Sequence, residues 1–169
     1  MNKKILAISV ISCYAAWSFS PASAQQAIVK EQETVMKTYP FSDPDPVAQP
    51  AHLYYPYFRF DGFAAEGVEK AWKSVDMEND YIQLTLFPEI GGKVWGAKDK
   101  TTGKSFVYSN GVVKFRDIAM RGPWVSGGIE FNFGIIGHAP SSSTPVDYWT
   151  EKKEDGSVSC YISSYEWLT

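Results

Sequence analysis

This chain is poor in cysteine, histidine and positive charge. Two Cys and two His among 169 residues are too few for the Cys/His ligand sets of structural zinc. Lys and Arg number 16 against 19 Asp and Glu, a formal charge of −3. An acidic balance offers no electrostatic footprint for a phosphate backbone, which excludes nucleic acid as a partner. No loop has the alternating Asp/Asn spacing usual for calcium. No Ser-His-Asp order, phosphate loop or paired-Cys motif is present either. The residues therefore imply no metal and no cofactor.

Long apolar runs are scarce too, and the one that exists has a specific reading. Ile5 through Phe19 carries no charge, follows the basic head Met1-Asn2-Lys3-Lys4, and precedes Pro21-Ala22-Ser23-Ala24. That order is a secretory signal peptide over residues 1–24, cleaved after Ala24, and too short to span a membrane with polar flanks. A periplasmic or secreted protein follows, with no transmembrane helix once the signal is gone. Val10-Ile11-Ser12-Cys13 competes as a lipobox, but aromatic Tyr14, Trp17 and Phe19 follow where a lipoprotein tether is polar. Losing Cys13 leaves Cys160 without a partner for an intrachain disulfide. Its alternation with Val158 and Ile162 makes it a small core residue.

Aromatics are plentiful: 10 Tyr, 10 Phe and 6 Trp in a chain that is 44% apolar, which excludes disorder for most of it. The length suits one domain or one piece of a larger one. Residues 25–50 read as an extended N-terminal arm, punctuated by Ser42-Asp43-Pro44-Asp45-Pro46, with Val35 to Tyr39 competent to form a strand. Residues 51–169 read as β domain. The segment from His52 to Phe60 is dense in rings and is expected across a sheet; Tyr54, Tyr55 and Tyr57 either pack there or line a cleft. Ala64 to Trp72 is the one helix candidate.

From Tyr81 the pattern turns to period two, with Ile82, Leu84 and Leu86 on one face. Breaks at Pro88 to Gly92 and at Asp99 to Gly103 make a three-stranded antiparallel meander ending at Ser105 to Tyr108. Further strands are expected at Ile129–Phe133, Val146–Lys152 and Val158–Trp167, the last two joined by Glu154-Asp155-Gly156-Ser157. The fold class is all-β. The strand pattern is still running at Thr169, which leaves an apolar edge unpaired and predicts the N-terminal part of a larger β domain over a short complete sandwich.

Chemistry concentrates between Arg121 and His138. A strand starting at Ile129 would put Glu130 and Asn132 on one face and Ile129, Phe131 and Phe133 in the core. Adjacent polar side chains with Trp124 and Arg121 upstream suit a sugar, whose hydroxyls want bidentate partners and whose ring stacks on indole. Gly127-Gly128 would admit close backbone approach. The competing reading is a solvated sheet face with Trp124 as packing. His138 is the candidate acid or hydrogen-bond donor, since imidazole alone titrates near neutrality without help. Glu89 reads as an exposed structural residue.

Two stretches carry a family resemblance. Tyr81 to Lys100, YIQLTLFPEIGGKVWGAKDK, resembles the opening meander of galactose-mutarotase-like proteins, the aldose 1-epimerase superfamily. RGPWVSGGIEFNFGIIGH, Arg121 to His138, with the later Pro145-Val146-Asp147, resembles an uncharacterised secreted family of that fold whose members often carry tetratricopeptide repeats after the β domain. The resemblance implies an antiparallel β-supersandwich with a carbohydrate cleft on its concave sheet. It also implies His138 as a sugar contact, which with Arg121, Trp124, Glu130 and Asn132 from the residue reading makes the expected substrate-binding set. Epimerase relatives use a His acid and a Glu base; the base would lie beyond Thr169, so the resemblance implies sugar recognition without complete catalysis here. Where the sugar-phosphate branch has Arg-Gly-Gly, this chain has Val125-Ser126 before Gly127-Gly128, which removes the reason to expect a phosphosugar. A partner chain or following repeat array docked on the aromatic surface is the alternative that the same resemblance allows.

Overall fold

The computed structural model describes residues 26–50, 53, 55–119, 122–132, 138 and 141–165. The signal segment, Cys13, His52, Tyr54, Arg121, Phe133 and the four residues after Tyr165 lie outside them. The described chain is all-β and contains no helix. Nine strands run β1 (Ile28–Tyr39), β2 (Val68–Glu78), β3 (Ile82–Phe87), β4 (Lys93–Asp99), β5 (Ser105–Val107), β6 (Val113–Ala119), β7 (Gly122–Val125), β8 (Asp147–Lys152) and β9 (Val158–Ser163). Seven form one sheet in the order β5-β4-β3-β2-β1-β6-β7, and β8-β9 form a second, two-stranded sheet. The antiparallel expectation holds at every pair except β1–β6, where a short parallel pairing of Thr38 with Val113 and Tyr39 with Lys114 makes the large sheet mixed.

The segment read as an extended arm supplies β1, an internal strand that pairs along its length with β2, from Ile28↔Glu78 to Thr38↔Val68. The helix expected over Ala64 to Trp72 is absent; residues 64–67 are irregular and β2 takes up the range from Val68 onward. The reason is the partner. In the ladder Trp72 opposes Thr34, and the same face buries Trp72 and Ser74 while Ala71 and Lys73 stay exposed. That face is lined by hydroxyls that satisfy one another: Trp72 Nε1 donates to Thr38 Oγ1 at 2.8 Å, and the Thr34 and Ser74 hydroxyls lie 2.9 Å apart.

The meander falls where period two placed it, as β3, β4 and β5. An irregularity between Thr85 and Leu86 leaves Trp95 unpaired on β4 and turns it inward beside Phe87, their ring centroids 5.3 Å apart. Phe87 and Trp95 join Trp72, Ile90, Val113, Phe115 and Val125 in the core. Truncating Phe87, 1% exposed, would remove about 3–5 kcal/mol. On the other face Val75 opposes Leu86, both buried, and the β8-β9 hairpin lies over that side. Its Tyr148 and Thr150 hydroxyls donate to Glu31 at 2.9 and 3.0 Å, and Ile162 abuts Gly92. The hairpin turn uses Gly156 at φ +83°, the positive value that Asp-Gly was expected to supply. Cys160 is half-buried here, and burial pushes its thiol pKa up.

Candidate functional site

The strand expected from Ile129 does not form among the described residues. Ile129 makes one isolated bridge to Val94, with Ile129 N–H donating to Val94 O at 2.9 Å. Ile129 and Phe131, expected in the core, are exposed, whereas the Glu130 side chain keeps only 12% of its surface. The cause lies in the two preceding residues. Gly127 and Gly128 take φ of +98° and +72°, values open chiefly to glycine, and so re-aim the chain. Gly128 N–H donates to Tyr108 O at 2.7 Å, and Asn110 Nδ2 donates to Ser126 O at 2.9 Å. The turn is thereby fastened to β4 and to the loop after β5, with Glu130 pointing inward.

Around Glu130 the fold gathers three side chains. Trp124, on β7, donates its Nε1–H to Glu130 Oε2 at 2.6 Å. His138 Nδ1 sits 3.0 and 3.1 Å from the two carboxylate oxygens, and its ring lies 5.5 Å from that of Trp124. Lys93, first residue of β4, is 1% exposed, donates from Nζ to Val125 O and, at 3.3 Å, to Gly127 O, and lies 4.0 Å from Glu130 Oε2 and 5.0 Å from the Trp124 ring. Burial lowers its pKa and the charge of Glu130 raises it in return.

Chemically this is a carboxylate–imidazole pair backed by an indole N–H and a buried amine. A carboxylate only accepts, so Nδ1 of His138 donates to it and Nε2 of a neutral ring is left as an acceptor. His138 keeps 34% of its side-chain surface and is the member of the group that meets solvent. Of the five residues expected to bind substrate, Trp124, Glu130 and His138 are brought together. Asn132 follows Glu130 by two positions and is exposed, and Arg121 lies outside the described residues. Lys93 was not among the expected residues. Its one sequence signal is a lysine on the inward phase of a strand, flanked by the alternating Trp95 and Ala97.

The opposite face of β7 borders a different space. Pro123, next to Trp124, helps line a cavity of about 570 Å³ together with Tyr55, Phe58, Trp72, Phe115 and Ser141. Tyr55, one of the rings expected either to pack or to line a cleft, borders this cavity, with Tyr57 edge-on at 5.8 Å. Glu89 is half-buried and not merely exposed: its Oε2 accepts the Lys73 N–H at 2.6 Å, and the residue borders the same cavity. Among the described residues no cluster of three or more His, Cys, Asp or Glu could hold a metal ion. No helix of theirs is long and apolar enough to cross a membrane.

The chain is similar to known proteins in both fold and sequence. Its fold is similar to part of a TPR-domain containing protein from Parabacteroides distasonis, at a TM-score of 0.67 and 28% identity over 76% of this chain. The chain spans 23% of that protein's length. Residues 49–168 match the model of the domain of unknown function DUF5107, which takes in both the meander and the Glu130 cluster, and the chain belongs to that family.

Proposed function

We propose that this is an exported carbohydrate-recognition domain of galactose-mutarotase-like fold, binding its sugar at the Trp124–Glu130–His138 cluster. The observation that carries the reading is a carboxylate with 12% of its surface left, hydrogen-bonded to an indole and an imidazole, with the imidazole turned toward solvent. The roles differ from those suggested by residue type alone. Glu130 spends its oxygens on Trp124 and His138, so it orients; His138 Nε2 is the group offered to a hydroxyl. The resemblance of Tyr81 to Lys100 and Arg121 to His138 to mutarotase-like proteins supports the same class of ligand.

Isothermal titration of the chain with maltotriose, cellotriose, xylotriose and galactobiose tests the reading. Millimolar or tighter binding of at least one, lost in His138→Ala and in Trp124→Ala with the fold intact, is the expected result. No heat from any of them would sink it. A second reading, an assembly module serving a repeat array, is favoured by one observation: the similar protein is TPR-domain containing and the chain spans only 23% of it. In that case the same variants bind no sugar and the parent binds none either, while a separately produced repeat segment is retained on the immobilised domain.

A further inference from the structure

We propose that the cavity of about 570 Å³ bordered by Pro123 is a second ligand site, and that it takes an organic ammonium, a cationic amine on an apolar body. Trp124, Glu130 and His138 do not line it. What it binds is therefore independent of the sugar read at that cluster.

Small-molecule sites run roughly from 300 to 1,000 Å³ and combine apolar walls with a few placed polar groups. Here the walls are aromatic: Trp72 and Phe115 lie 6.2 Å apart between centroids, and Phe58 stands edge-on to Phe41 at 5.8 Å. The charge around the space is lopsided. Among the described residues that line it, Asp43, Glu89 and Asp147 are acidic and Lys70 alone is basic. Asp43 and Asp147 make no hydrogen bond or ion pair among the described residues, and Glu89 engages only Oε2, with the Lys73 N–H. A field of that sign repels an anion and draws in a cation. Carboxylates only accept, and an ammonium offers three donors and no acceptor.

Two further observations point to the same class of ligand. Lys70 Nζ lies 3.7 Å from the centroid of the Trp72 ring, closer than any other cation comes to a ring among the described residues. The two residues are two apart on β2, so both side chains rise from one face of the strand. The indole wall thus already holds an ammonium, drawn there by the ring quadrupole. Lys70 is exposed, makes no ion pair among the described residues and has a long flexible stem, so it can yield this place to a ligand amine. The second observation is Ser141, which is 6% exposed and borders the cavity. Its hydroxyl makes no hydrogen bond among the described residues. Buried hydroxyls are ordinarily paired, and a ligand N–H is a donor that this one can accept.

Benzylamine, benzyl alcohol and benzoate share one ring and differ in charge, so they serve as probes in amide and indole N–H shift titrations of the whole chain at neutral pH. Benzylamine is expected to move the Trp72 indole and Ser141 amide signals. It should bind about three- to tenfold more tightly than benzyl alcohol, the range for a cation on an indole face, with benzoate weakest. Lys70→Met clears the ring of its resident ammonium and should raise benzylamine affinity about threefold, whereas Asp147→Asn should lower it. Equal binding of benzylamine and benzyl alcohol, tightest binding of benzoate, or no binding of any probe overturns the proposal. Shifts confined to Trp124 and His138, or a folded Lys70→Met with unchanged affinity, overturn it too. Should Lys70→Met fail to fold, the charge series in the parent decides alone. Success or failure of sugars to bind bears only on the Trp124 cluster.

Discussion

Glu130 reaches its partners because two glycines before it adopt conformations that other residues resist. Gly128 does so in a crowded place: a Cβ there would lie 2.6 Å from the Val94 carbonyl oxygen, a backbone atom with no freedom to yield. Gly103, in the β4-β5 turn, has nearly the same φ, +71° against +72°, but nothing within 4 Å of the same position. The two sites therefore separate conformational cost from steric cost. Gly103→Ala is expected to lose about 1–2 kcal/mol, the penalty of the left-handed region alone. Gly128→Ala adds the overpacking and should lose about 2–5 kcal/mol. Urea unfolding of both variants checks this; equal losses would mean that the contact with Val94 is not what requires glycine. The same Gly128→Ala chain should show a displaced His138 ring, since Glu130 is two residues on.

At the level of elements, the sheet is held by β1 and β2, the two longest strands, paired along their length and flanked on both sides by β3 and β6. Strand β5 is the opposite case, three residues at the sheet edge with exposed Phe106 in its middle. Amide hydrogen exchange is expected to be slowest over Thr34–Thr38 and Trp72–Val75, and fastest in Ser105–Val107. Comparable protection in β5 and β2 would show that the sheet opens as one unit. The meander and the final hairpin were legible because their apolar residues alternate and their turns contain Gly. Strand β2 was not, and β1 only over Val35 to Tyr39, since their inner faces are built from Thr34, Thr38, Ser74 and Trp72, a mixture without an apolar period. Strand β6 does carry the signal: Val113 and Phe115 are buried and Lys114 exposed between them. At the site, residue types and their clustering between Trp124 and His138 could be read along the chain. The inward turn of Glu130 could not, because it depends on two positive φ values and on an amine supplied from β4.

At the scale of the whole molecule, the question is what joins the small sheet to the large one. Part of the answer is apolar, through Ile162 and Gly92, but the polar part converges on Glu31 of β1, which accepts from both Tyr148 and Thr150. That contact has a consequence for alkaline stability. The Tyr148 phenol is pushed up from its ordinary value of 10.0 to about 12, first by burial, then by its hydrogen bond to Glu31 and the carboxylate's charge. A pKa raised in the fold means that the unfolded chain gives up the proton first. The phenol's contribution is therefore complete below pH 10.0 and drains away as pH rises toward 12. Tyr148→Phe keeps the ring and removes both the hydrogen bond and the ionisation. It should unfold at a lower urea concentration at neutral pH, by about 0.5–1.5 kcal/mol, and then lose less than the parent across the alkaline range. The two stability curves should converge between pH 10.0 and 12. Curves that stay parallel there would place the ionising phenol outside the junction, and its polar part would then rest on the Thr150 hydroxyl and Glu31 without Tyr148.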